Sequence, residues 1–387
     1  MNNFLITGFN FDGYHGSMMH ICELAEYLTR NNFKVYIATC EINNSIKKEI
    51  ETNSNVKIYF FNNLPLNQEY KYVLAYHEPI LSFLIKKGLK FKHLGIGCLS
   101  YSIKGLEMPS LLATMNFPTF VCSKEIARAL QKDFNIHKTI VFPNFIPQNF
   151  LNLSIKKPEK LKKIAIISNH VPEELLLTKS LLENDGFLVN IYGKNYNYQK
   201  ITPKLLLQYD LIITIGKTVQ YGFALKKPVF NYDKFGGCGY INKTNFTEAE
   251  YYNFSGRNHT TKRTPLELKS EIINGYDNAL QDIDEIYNIS IKKYSVNNLI
   301  PKLLYELDKS NNKPNNTPEW KIYQERCYQY GLDIISHKDF QKICFPYILS
   351  NYKIYKLINK ITFGLVFKNK AKNAKFVIDI LNKTFKT

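Results

Sequence analysis

Several short stretches carry residue types able to bind or activate a polar ligand. The first is Gly8 to Ser17, with Gly13-Tyr14-His15-Gly16-Ser17 at its end. It lies between the apolar run Phe4–Thr7 and a segment of helical period from Met18 to Thr29. Glycines let a backbone approach a ligand closely, and the N–H groups opening a helix favour phosphate or a negative transition state. The spacing Gly8, Gly13, Gly16 is not GxGxxG, so it is no dinucleotide fingerprint. His15 reads as a base or hydrogen-bond donor, or as a structural loop histidine. The second stretch, Tyr76-His77-Glu78-Pro79, follows an apolar strand, and open α/β sheets bind ligands at strand C-termini. His77 and Glu78 are candidate acid–base groups there, with Glu78 equally readable as a helix cap. The third, Cys98-Leu99-Ser100 with Glu107 beyond it, offers polar groups to a sugar or is an ordinary Ser-rich loop.

The fourth stretch runs from Tyr209 to Phe230 and reads as strand, glycine turn, helix, short turn, strand. Lys217 and Thr218 stand at the helix start, where a pyrophosphate would lie. A Walker A loop would need glycine at position 211, which is Leu211. The fifth, Asn231 to Tyr240, is glycine-rich and reads as a mobile loop. Arg257, a little beyond it, has the bidentate geometry suited to phosphate or a structural role. Asp282-Ile283-Asp284 has the form of a metal-binding DxD. It falls inside a helical segment, Glu271 to Tyr287, and reads as a solvated helix face.

Elements that position these residues alternate along the chain. Short apolar runs near residues 4, 35, 57, 73, 95 and 120 are separated by helical segments, which implies a parallel sheet with helices on both faces. The pattern breaks at Pro143, Pro147 and Pro158, then restarts at Lys163–Ser168 and continues to about residue 308. The expected fold is α/β: two Rossmann-like doubly wound domains, 1–150 and 160–308, with a helical extension over 317–387.

The chain has 387 residues, 45% hydrophobic, which excludes a wholly disordered protein. Its net charge is +18, which favours polyanionic partners or reflects a lysine-rich coding bias. Residues 351–387 hold nine lysines against one acid, Asp379, interleaved with Ile, Leu, Val and Phe. That tail reads either as an element lying on an anionic membrane surface or as a helix packed on the N-terminal domain. The seven cysteines are scattered with no CxxC pair, as expected of reduced thiols in a cytoplasm. The N-terminus lacks the form of a signal peptide, and no run is long enough to span a bilayer. A cytoplasmic protein, peripheral on the inner face of the membrane, is the expectation.

The fourth stretch, ending Lys227-Pro228-Val229, resembles the donor-site signature of GT-B glycosyltransferases. Gly13–Ser17 with His20–Leu28 is similar to the glycine-rich loop and first helix of the retaining enzymes of that class. Phe120–Glu125 with Val141–Ile146 resembles their element before the interdomain linker. The resemblance covers about residues 1–305. It implies transfer of a sugar from a nucleotide-sugar donor to a glycan acceptor, lipid-linked if the product is a capsule or lipopolysaccharide. It implies no metal and no further cofactor, and no nucleic-acid recognition motif is present, so no nucleic-acid partner is expected. By it, Lys217, Thr218 and Arg257 neutralise donor phosphates, and Asn169, His170, Gly193, Gln220 and Tyr221 complete the donor site. His15, His77 and Glu78 orient or deprotonate the acceptor, with Gly13, Gly16, Ser17, Ser100 and Glu107 around it. The paired glutamates of that class would fall near Ile213 and Tyr221, and neither is Glu. Sugar-nucleotide epimerases, phosphate-transferring polymer synthases and non-catalytic relatives share the architecture and remain open alternatives.

Overall fold

The computed structural model describes residues 2–100 and 117–310. The extension 317–387 and Glu107 lie outside the described residues. The chain forms two compact units. Among the described residues, the first holds 2–13, 28–100, 117–142 and 304–310; the second holds Tyr14–Tyr27 and Pro143–Leu303.

The first unit contains β1 (Asn3–Thr7), β2 (Asn10–Phe11), β3 (Lys34–Thr39), β4 (Glu41–Ile42), β5 (Lys57–Phe60), β6 (Glu69–Ala75), β7 (Lys90–Cys98), β8 (Thr119–Val121) and β9 (Thr139–Val141). Helix α1 (Gly16–Arg30) ends in this unit, and α2 (Asn44–Ser54), α3 (Glu78–Lys86) and α4 (Lys124–Phe134) belong to it. Seven strands form one parallel sheet in the order β5-β3-β1-β6-β7-β8-β9. Every residue of β1 is buried. A parallel sheet covered on both faces needs such unbroken apolar runs rather than alternation. Ser123 caps α4 by accepting the Ile126 N–H, and Asn135 ends it in the left-handed region.

The second unit contains β10 (Lys163–Ile167), β11 (Leu188–Tyr192), β12 (Leu211–Thr214), β13 (Val229–Asp233) and β14 (Gly236–Tyr240). Its helices are α5 (Glu173–Asn184), α6 (Pro203–Leu206), α7 (Lys217–Ala224), α8 (Phe246–Tyr251), α9 (Pro265–Asn274), α10 (Tyr276–Tyr294) and most of α11 (Val296–Asp308). The sheet order is β11-β10-β12-β13-β14, parallel except for β14. Helix α5 packs on α9, and α7 packs on α10. Ile164, Ile166, Val189, Ile191, Leu211, Ile213 and Phe230 join Leu175, Leu182, Leu268 and Ile272 in one buried core.

Two local expectations are corrected. The glycine-rich segment 231–240 is not a loop but the end of β13 and the antiparallel edge strand β14, turning at residues 234–235. The helix expected from Glu271 to Tyr287 is two helices broken at Gly275. A side chain there would press within 2.8 Å of the Tyr240 ring and 2.9 Å of the Glu271 carbonyl. Within α10, Asp284 pairs with Lys157 and Lys226, and Asp282 with Lys243. Among the described residues no cluster of His, Cys, Asp and Glu offers a metal site, and no helix is long and apolar enough to cross a membrane.

Candidate functional site

The sheet of the second unit reverses its winding at β10. The chain moves from β10 outward to β11, then returns to place β12 on the other side. Loops leaving the C-terminal ends of β10 and β12 therefore diverge, and the gap between them is a natural crevice. A cleft of about 240 Å³ lies there. Its floor is built from the strand ends: Ile167 and Ser168 after β10, Tyr192 and Gly193 after β11, Thr214 and Ile215 after β12, and Asp233 closing β13. Tyr14, His15, Gly16 and Met19 form one wall, and Lys217, Thr218 and Tyr221 of α7 another. The Tyr14 and Tyr198 rings meet at its rim, 5.9 Å between centroids.

Local sequence explains how these groups are presented. Gly216 has φ 63° and ψ −132°, a conformation that a side chain disfavours, and so turns the chain from β12 straight into α7. Its N–H donates to the Phe254 carbonyl (2.9 Å), which also accepts from Asn231 Nδ2 (2.7 Å). Thr218 follows, half-buried, on the first turn of α7, where backbone N–H groups lack helical acceptors. Ser168 donates its hydroxyl to Asp233 (3.0 Å) and accepts the His170 N–H (2.8 Å). Burial raises the Asp233 carboxyl. The Lys234 N–H and Ser168 hydroxyl that bond it act the other way, as do the charges of His170 and Lys234. His170 is lowered first by desolvation and then by Lys234 and Lys194, against Asp233. Cationic lysines thus outweigh the single carboxylate at this imidazole, a field that suits an anion.

Beneath the cleft lies a buried charge cluster. Lys217 Nζ, its side chain 6% exposed, stands 2.6 Å from Glu23 Oε2. Tyr221 donates its hydroxyl to Glu23 Oε1. The ammonium also sits over the rings of Phe145 (4.6 Å) and Tyr221 (5.3 Å). Burial pushes the Glu23 carboxyl up, opposed by Lys217 and by the Tyr221 hydrogen bond. Burial and Glu23 raise Tyr221 well above the ordinary phenol. Burial and Lys217 hold His20 well below the ordinary imidazole.

The structure thus gathers Asn169, His170, Gly193, Thr218, His15 and Gly16 at one cleft. Asn169 accepts the Lys194 N–H (2.9 Å), which ties the loops after β10 and β11 together. His15 Nδ1 accepts the Met18 N–H (3.3 Å), capping α1, and bonds with Ser17 Oγ (3.0 Å).

The remaining expected residues lie as follows. Lys217 lines the cleft, and its charge is engaged by Glu23. Gln220 is fully buried; with its amide turned so that the nitrogen faces them, it donates to the Lys217 (2.8 Å) and Gly216 (3.0 Å) carbonyls and staples the turn. Tyr221 presents its ring to the cleft and commits its hydroxyl to Glu23. Arg257 is not among the lining residues; its N–H donates to Ser255 Oγ (3.4 Å). His77 is buried in the first unit, where Nδ1 accepts the Phe9 N–H (2.7 Å), a structural task. Gly13 and Ser100 belong to that unit, and Glu78 opens α3 there. Sequence reasoning missed Ser168, Asp233, Tyr198 and Glu23. A terminal acid on a buried strand was the one signal pointing to Asp233.

No family model and no curated protein matches the chain. It is similar to solved structures at low identity. One is the glycotransferase of kitacinnamycin, at 12% identity over 79% of this chain and 99% of that one, TM-score 0.46. Another is WaaG, a glycosyltransferase involved in lipopolysaccharide biosynthesis, at 9% over 79% and 100%, TM-score 0.49. A third is UDP-GlcNAc 2-epimerase from Neisseria meningitidis bound to UDP-GlcNAc, at 12% over 80% and 100%, TM-score 0.44. Likeness this loose decides nothing about chemistry, which has to come from the residues of the cleft.

Proposed function

We propose that this chain is a glycosyltransferase that takes a nucleotide-sugar donor into the cleft of its second unit. The observation that carries the reading is the position of that cleft. It opens at the C-terminal ends of β10, β12 and β13, at the winding reversal, with the start of α7 and Thr218 in its wall. A diphosphate seated there would meet the N–H groups opening α7 and the Thr218 hydroxyl. It would also feel the field of Lys194 and Lys234 that acts on His170. As the bond to the sugar breaks, negative charge grows on the leaving diphosphate. Preorganised donors of this kind stabilise it without a metal ion. His15 lines the cleft and in this reading orients the sugar or its acceptor.

The acceptor we favour is a lipid-linked glycan on the cytoplasmic leaflet, as in capsule or lipopolysaccharide synthesis. The lysine-rich segment 351–387 supports that reading, since each Lys near anionic lipid adds about 1 kcal/mol of attraction. The deciding experiment titrates the whole chain with UDP, GDP, CMP and dTDP by calorimetry and thermal shift. It then follows the matching nucleotide-sugar with and without acceptor lipid. Binding of one nucleotide, with its release dependent on acceptor, is expected. Isomerisation of the donor without acceptor would mark an epimerase instead. Absence of binding to every nucleotide would remove the proposal.

A further inference from the structure

We infer that Glu23 is a positioning residue: its buried carboxylate clamps the start of α1 onto α7 and so sets the wall of the cleft. The inference rests on the reading of the cleft as a ligand site. His15, Met19 and Glu23 follow one another at four-residue intervals, which puts them along one face of α1 and its cap. His15 and Met19 line the cleft, and Glu23 lies one turn further along. On α7 the same interval joins Lys217 and Tyr221, and both reach Glu23. Glu23 and Tyr221 are 198 positions apart in the chain, so no local rule brings them together. His20 packs against Phe145 (4.7 Å) and Phe150 stacks on Tyr221 (4.4 Å), closing the cluster from water.

A buried ion pair is a poor source of net stability, because desolvation cancels most of its attraction. What such a pair supplies is register. Sliding α1 by one turn along its axis, about 5.4 Å, would strand both the carboxylate and the ammonium away from any counter-charge. One placement of α1 on α7 is therefore favoured, and it is the placement that sets His15 against the cleft.

The test compares the whole chain with Glu23→Gln, which keeps the shape and an acceptor for Tyr221 but removes the charge, and with Tyr221→Phe, which keeps the ion pair. Amide hydrogen exchange is read peptide by peptide, and affinity is read with the nucleoside diphosphates UDP and GDP. For Glu23→Gln, exchange is expected to speed by at least about tenfold in residues 17–24 while β10 to β13 stay protected, with affinity lowered by at least about fivefold. Tyr221→Phe moves both the same way by less, and it carries the test if Glu23→Gln does not fold. Faster exchange spread evenly over the second unit, or none in 17–24, would overturn the clamp. If the parent chain binds neither UDP nor GDP, affinity is read with whichever of CMP and dTDP it binds; if it binds none of the four, the proposed function fails, while the exchange pattern still decides the clamp.

Discussion

Gly193 offers the sharpest test of how the cleft is built. Its φ of 151° lies outside the comfortable range of a side chain. A methyl there would come within 2.6 Å of the Ser168 carbonyl carbon and closer still to its oxygen, where ordinary contact begins at 3.4 Å. Ser168 has little freedom to retreat. Its N–H donates to the Tyr192 carbonyl, its hydroxyl donates to Asp233, and it accepts from His170. The end of β11 would have to move instead. Overpacking of this kind costs about 1–3 kcal/mol, and the backbone conformation adds about 1–2 kcal/mol. Gly193→Ala should therefore destabilise by about 3 kcal/mol and lower the melting temperature by roughly 6–12 °C for a unit of this size. Gly186 is the control. It also has a positive φ, 89°, but a methyl there meets nothing within 4 Å, so Gly186→Ala should cost only the backbone part, about 1–2 kcal/mol. Urea midpoints and differential scanning calorimetry on both variants read the difference. Equal losses would refute the argument from close approach.

Three further outcomes are expected. His77→Ala leaves the buried Phe9 N–H without its acceptor, so stability should fall by about 1–3 kcal/mol or more while nucleoside diphosphate affinity holds within about twofold; a large affinity loss would return His77 to the site. Thr218→Val removes a cleft hydroxyl with little packing change, and calorimetry should show affinity down by about five- to tenfold at unaltered melting temperature. For Asp233 the native carboxyl sits above its unfolded value, so the folded state binds the proton more tightly. Stability should then decline as pH rises from the ordinary carboxylate value, near about 4, through the raised native one, and level off above it. Asp233→Asn should abolish that decline in denaturant titrations across the same window, and a slope that survives would assign the effect to another group.

Most of the element order was legible in the sequence. Buried parallel strands such as Phe4–Thr7, Ile164–Ile167 and Leu211–Thr214 must be apolar along most of their length, and Gly and Pro punctuate them. Those are local facts, and they located the loops that carry Asn169, His170, Gly193 and Thr218. Strand β14 escaped notice because its sequence, Gly236-Gly-Cys-Gly-Tyr240, has the composition of a turn. Its pairing to β13 is set by the hairpin, not by propensity. The partners of charged and polar side chains were not legible either. Lys217 and Thr218 look equally available in one dimension. Tertiary packing buries one against Glu23 and leaves the other facing the cleft. Gln220 and His77 turn inward to satisfy backbone groups for the same reason, that burial forces every polar atom to find a partner. The chain alone determined where the cleft-lining loops stand, because periodicity is a property of neighbours. Which residues on them line the cleft was decided by contacts between segments as much as 198 positions apart, and only the fold creates those.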